Sequence, residues 1–247
     1  MSAATGIDPR LVSLVAPGSF EAEQYRALRQ RLERRHEAGA FRIVAITSAT
    51  VSDGKTTTAI NLAGALAQAS DTRVLLVDAD LRRPAIATHL GLENPDGAGL
   101  VDAILDPAGS LRAVTRPLPG FNLTVVTAGR FPPSPYEVLR SARLGILLEE
   151  ARRAYDYVVV DTPPILPVPD TRLITPVADA LILVVAAHRT PRGLLAEALR
   201  LLDPAKVAGL VFNGDDRPLS GYSAYYEGYG RRTRERSRSG VREDPAA

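Results

Sequence analysis

Strand signals fall at 41–48, 74–78, 123–127, 157–161, 180–186 and 207–213, and most are near-continuous runs rich in Val, Ile and Leu. Strands covered on both faces need such runs, because every side chain then meets apolar neighbours whichever way it points. Between them the apolar spacing lengthens to that of helices, which predicts helices over 56–68, 99–105, 135–155 and 191–202. Thr190 opens the last as its cap and Pro191 lies in its first turn, where a missing N–H costs nothing. Strand and helix alternate, so the predicted fold class is α/β, a doubly wound and mainly parallel sheet with helices on both faces. Ligands of such sheets bind beyond the carboxyl ends of the strands.

Two segments fall outside the alternation. The first contains one amphipathic helix, over 20–35, with Tyr25, Leu28 and Leu32 on one side and charges on the other. After Asn213 the chain turns to Gly, Ser, Tyr and Arg, too poor in aliphatic residues to pack a core. The expected organisation is an N-terminal arm at 1–37 lying outside the core, a single domain at 38–214, and a flexible tyrosine- and arginine-rich tail at 215–247.

Composition narrows the function classes. With 45% hydrophobic and 23% charged residues in 247, the chain reads as an ordinary globular domain. It has no cysteine, which excludes disulfides, thiolate metal sites and cysteine nucleophiles. The longest apolar run, 180–187, is far shorter than the roughly 20 residues of a membrane span. Asp8 and Arg10 stand where a signal peptide needs its apolar stretch, so a cytoplasmic location is expected. Of 30 basic residues only Lys55 and Lys206 are lysine, so a lysine in a demanding position stands out and an arginine cluster does not.

The first strand runs into SATVSDGKTTTAINLAGALA, which fits the phosphate-binding Walker A pattern except that Ala49 replaces its first glycine. A loop wrapped around phosphates, here Ala49, Ser52, Asp53 and Gly54, offers backbone N–H groups and the positive end of the following helix to the anion. Gly54 permits close approach, Lys55 reaches the terminal phosphates, and Thr56, followed by Thr57, gives its hydroxyl oxygen to Mg2+. This identifies a P-loop NTPase fold that binds ATP and Mg2+. Two further strands end in acids: VLLVDADLRRP in Asp78 and Asp80, which share a side if the extended backbone continues, and YVVVDTPP in Asp161. Carboxylates on that sheet edge suit Mg2+ coordination through water and activation of a nucleophile.

With DADLRRP, HLGLENPDGAGLVDAIL, AGRFPPSPYEVLRSARL and DTPPILPVPD, the chain resembles the bacterial tyrosine kinases of capsule and exopolysaccharide synthesis. They are a branch of the deviant Walker ATPases that include cell-division and chromosome-partitioning proteins. The likeness spans roughly residues 20–229. It implies that Lys55 and Thr56 hold phosphates and Mg2+, that Asp78, Asp80 and Asp161 arrange the metal and the acceptor hydroxyl, and that Asn213 lies at the adenine. Either Asp78 or Asp80 could take or orient the tyrosine proton. The partitioning branch carries an extra lysine early in its loop, and SATVSDGK has none, which favours the kinase branch. Glu23, Arg26 and Arg29 match the family's ring-forming element, although i,i+3 pairs along their own helix explain them equally well. The resemblance further implies self-association into a ring and a separate membrane-anchored activator.

Half of the eight tyrosines, Tyr222, Tyr225, Tyr226 and Tyr229, fall in SGYSAYYEGYG, among residues that give an aromatic ring nothing to pack against. The nine steps from Asn213 to Tyr222 span at most about 30 Å, enough to reach a neighbour's active site. In the family such a cluster is the autophosphorylation substrate, and its phosphate charge loosens the ring. The six arginines of 231–242 are interspersed with acids and read as a solvated end, so no nucleic acid is expected. His36, His89 and His188 have no metal-ligand spacing and receive no catalytic role. The alternative reading is a non-kinase ATPase acting as a nucleotide-dependent switch, with water as its acceptor.

Overall fold

The computed structural model describes residues 6–37, 41–94 and 97–215. The tyrosine cluster and the arginines of 231–242 lie outside them. All six expected strands form: β1 (Ile43–Ser48), β2 (Val74–Asp78), β4 (Leu123–Val126), β5 (Tyr157–Asp161), β6 (Ala180–Ala186) and β7 (Val207–Asn213). A two-residue strand, β3 (Arg116–Pro117), completes a seven-stranded sheet in the order β3-β4-β2-β5-β1-β6-β7. All neighbours pair in parallel except β3 and β4. Pro117 lacks a donor, and its place on an edge strand follows from that.

The sheet separates two hydrophobic cores, and the alternation of side chains along each strand divides them. Ile43 and Ala45 of β1 face one core with Leu75, Val77, Val158 and Val160, whereas Val44 and Ile46 face the other with Leu76, Val159 and Ile182. Helices α3 (Lys55–Leu66) and α4 (Ile86–His89) cover the second face. The first is covered by α5 (Leu100–Leu105), α6 (Pro135–Arg140), α7 (Ala142–Ala154), α8 (Thr171–Ile174) and α9 (Arg192–Arg200). At the β7 edge the cover thins, and Phe212 is 61% exposed.

Three expectations are corrected. The helix expected over 135–155 is two helices, because Ser141 is extended (φ −61°, ψ 135°) and its hydroxyl accepts from the Arg143 N–H at 3.3 Å, capping α7. Pro191, not Thr190, occupies the cap position of α9. The Thr190 hydroxyl accepts from the Ala186 N–H at 3.0 Å and donates to Asp53 at 2.9 Å, so it is spent on the phosphate loop. Finally, the N-terminal arm does not stand outside the core. Helices α1 (Val12–Val15) and α2 (Phe20–Glu37) lie against α3, and Leu11, Leu14 and Leu32 join the second core. A side chain on Gly64 of α3 would meet the Leu14 methyl carbon at 2.8 Å, so α1 packs directly on the backbone of α3.

Candidate functional site

Residues 49–54 link β1 to α3 in a tight loop. Ala49 is wholly buried in the core, where its methyl is enclosed without displacing the loop. Ser52 (φ +63°) and Gly54 (φ +92°) take left-handed conformations. At Gly54 any side chain is strained by that φ, and its Cβ would also have to displace the Asn213 amide, whose nitrogen lies 1.9 Å from it. The Asn213 amide donates to the Asp53 carbonyl at 3.1 Å, which brings the end of β7 against the loop. The Asp53 carboxylate turns inward, accepting from the Thr50 N–H (2.9 Å) and from the hydroxyls of Thr50 and Thr190. It braces the loop, which leaves its backbone as the part available to a phosphate.

The acids converge on the start of α3. The Lys55 ammonium lies 2.7 Å from Asp80 and 3.6 Å from Asp161, and it donates to the Thr56 hydroxyl at 3.3 Å. Burial alone would lower the Lys55 pKa, but the charges of Asp161 and Asp80 outweigh it and the net shift is upward. Thr56 donates to Asp161 Oδ2 at 2.6 Å. Asp78 accepts from the backbone N–H groups of Asp80 (3.2 Å), Ala85 and Ile86 (both 3.1 Å). Its pKa is pushed up to about 8, by burial first and by the charge of Asp161 second, against those donors. Burial likewise pushes Asp161 up. The extended backbone stops at Asp78 and the chain turns, with the Arg83 N–H bound to Asp80 Oδ1 at 3.0 Å. The two acids therefore differ: Asp78 is locked beneath the surface, whereas Asp80 lines the cleft.

That cleft, of about 470 Å3, is lined by Ser52, Gly54, Lys55, Thr56, Thr57 and Asp80, and by residues that carried no signal in the sequence, notably Arg10, His89 and Arg189. A cleft of about 520 Å3 between Arg73, Leu111, Glu150 and Tyr155 touches the start of β2 at Val74, at the opposite end of the strand from Asp78, so size alone does not locate the chemistry.

A magnesium ion fits the residues present. Among the described residues no cluster of acids or histidines forms a metal cage by itself. Mg2+ typically keeps several waters and takes the rest of its ligands from phosphate and one or two carboxylates. Asp161 Oδ1 is buried with no hydrogen bond, 3.6 Å from the Lys55 ammonium and on the carboxylate whose Oδ2 holds the Thr56 hydroxyl, and an oxygen so placed suits a metal-bound water.

On helix α2, Glu23 pairs with Arg26, and Arg29 pairs with Glu33 at 2.6 Å and donates to the Ala65 carbonyl at 2.9 Å. Arg29 is thus tied to α3 and not to Glu23. Tyr222, Tyr225, Tyr226 and Tyr229 lie outside the described residues.

Loop, lysine, hydroxyl and strand-end acids define a P-loop nucleotide-binding protein. The profile of the CobQ/CobB/MinD/ParA nucleotide binding domain matches residues 44–221. The chain is 37% identical over 217 residues to the tyrosine-protein kinase YwqD of Bacillus subtilis, covering 87% of this chain and 89% of that one. It is 30% identical to the putative tyrosine-protein kinase CapB of Staphylococcus aureus, covering 87% and 92%. The kinase domain of the Escherichia coli tyrosine kinase ETK superposes with a TM-score of 0.78 at 31% identity, over 87% of this chain and 84% of that one. The chain belongs to the bacterial tyrosine-kinase family of capsule and exopolysaccharide synthesis, a branch of the CobQ/CobB/MinD/ParA nucleotide-binding proteins.

Proposed function

We propose that the chain is an ATP-dependent protein-tyrosine kinase that phosphorylates Tyr222, Tyr225, Tyr226 and Tyr229 of its own tail and thereby regulates capsular or exopolysaccharide synthesis. The convergence of Lys55, Thr56, Asp80 and Asp161 at the loop carries this reading. Lys55 reaches the terminal phosphates on leaving Asp80. Since it lies towards β2 and β5, the γ-phosphate end of ATP faces those strands and the base extends towards β7, where Asn213 meets the adenine side. Thr56, Asp78 and Asp161 would hold Mg2+, which spreads the charge of the transferring group. Asp80, released from Lys55 and facing the cleft, orients the tyrosine hydroxyl and takes its proton. The phosphoryl group passes from the bridging oxygen of ADP to the tyrosine oxygen.

Glu23, Arg26 and Arg29 would contribute to a ring of subunits, for which Arg29 would exchange its contacts to Glu33 and the Ala65 carbonyl for groups of a neighbour. Among the described residues no helix is long and apolar enough to cross a membrane. A cytoplasmic kinase recruited by a membrane-anchored activator accords with the family.

Intact mass after incubation with Mg·ATP and activator tests the reading. The expected result is gain in steps of one phosphate, lost in Lys55→Met and in the variant with all four tail tyrosines changed to Phe. ADP release without mass gain would instead establish the nucleotide switch with water as acceptor.

A further inference from the structure

Four cationic side chains line the nucleotide cleft, Arg10, Lys55, Arg83 and Arg189, with Asp80 as the carboxylate among the described lining residues. They are not equivalent. Lys55 is paired with Asp80, and Arg189 donates to the Ser52 carbonyl at 3.3 Å, on the β6 side of the loop. Arg10 and Arg83 lie on the other side with Ala85 and His89, beyond Asp80 and away from the base.

The twin arginines after Asp80 have split roles. Arg82 makes a two-pronged pair with the fully buried Asp170, at 2.7 and 3.0 Å. That anchor, with the Arg83 N–H bound to Asp80, fixes the turn and presents Arg83 beside the acid that meets the acceptor. Arg83 is exposed, and its guanidinium makes no hydrogen bond or ion pair among the described residues. Arg10 is held nearby by Asp8 at 3.0 Å, and Asp8 is also bound by His89 at 2.8 Å. An arginine fork without a partner matches a carboxylate or phosphate in two-pronged geometry.

We propose that Arg83, supported by Arg10, is the specificity determinant for the acceptor and selects tyrosines in acidic segments. This rests on the kinase reading of the site. In the chain's own tail one acid, Glu227, directly follows Tyr226, four residues ahead of the arginines that begin at Arg231.

The test uses the full chain loaded with Mg2+ and a non-hydrolysable ATP analogue, and two fluorescent peptides, SAYYEGYG and its counterpart with Gln for Glu227. Anisotropy is expected to show the acidic peptide binding about 10-fold more tightly, as one charge-assisted contact contributes. The ratio should fall towards one in Arg83→Gln and survive in part in Arg83→Lys. A ratio near one in the wild type overturns the proposal. So does an Arg83→Gln variant that keeps the ratio but binds the nucleotide more weakly, which would make Arg83 a phosphate ligand. Transfer from Mg·ATP to the same peptides, with the activator supplied, is scored separately: preferential binding without transfer sinks the kinase reading and leaves the acidic preference standing.

Discussion

Asp78 and Asp161 are shut away from water, and a carboxyl in that position keeps its proton longer than usual. Burial comes first in raising both, and it outweighs the Lys55 charge together with the hydrogen bonds from the Ile86 N–H to Asp78 and from the Thr56 hydroxyl to Asp161. Between the ordinary value of 3.8 and about 8, the folded chain therefore holds more protons at Asp78 than the unfolded chain does. Stability present on the acid side is lost as pH rises through that window. Binding of Mg·ATP favours the ionised carboxylates and must expel the extra protons near neutrality. Calorimetry in two buffers of different ionisation heat should show net proton release, and the melting temperature of the free protein should fall between about pH 5 and about pH 8. A binding heat that ignores the buffer would show both acids already ionised. Lys55, Thr56 and the three acids were legible in the sequence because phosphate chemistry demands those residue types at fixed places. The difference between Asp78 and Asp80 was not, since an extended backbone was assumed past Asp78 and the chain turns there.

The elements were legible wherever burial on both faces wrote a continuous apolar run, as in β2, β5 and β6. They were hidden where tertiary contacts set the geometry. Strand β3 is two residues long and exists through its pairing with β4, so no local pattern announces it. The break at Ser141 is likewise invisible to periodicity, because α6 and α7 both continue an amphipathic pattern. One residue ties three of these elements together. Asp179, just before β6, accepts from the backbone N–H groups of Arg42 and Ile43 at 2.8 Å, and it holds Arg152 of α7 at 2.6 and 2.8 Å. Although burial opposes it, Arg152 keeps the Asp179 pKa below its ordinary value. Its contribution is present above the ordinary carboxyl range and disappears on acidification. Asp179→Ala is expected to cost about 2 kcal/mol by urea unfolding near neutrality, with much less difference from the wild type in acid. An equal loss at both pH values would place the effect in packing instead of charge.

In the molecule as a whole, the N-terminal segment is a strap that packs Leu11 and Leu14 into the core and brings Arg10 to the nucleotide cleft. Sequence patterning put it outside the core because Leu11 and Leu14 sit in a stretch too short to show a period, and nothing in the sequence pairs Asp8 with His89. Beside the packing of Leu11 and Leu14, the strap is fastened by the buried polar side chain of Asn61 on α3. Its side chain accepts from the Ser13 N–H at 2.9 Å and donates to the carbonyls of Arg10 and Thr57 at 3.0 Å. Helix α2 lies on α3, the helix that begins at the phosphate loop, so the arm and the site geometry share a support. Asn61→Ala would strand a backbone donor and a backbone acceptor in a dry interface, at a cost of about 2 kcal/mol or more. The expected outcome is a lower melting temperature, faster proteolysis within residues 6–16, and a weaker preference for the acidic peptide because Arg10 loses its hold. Proteolysis at the wild-type rate, with the preference intact, would mean that Leu11 and Leu14 anchor the strap by packing alone.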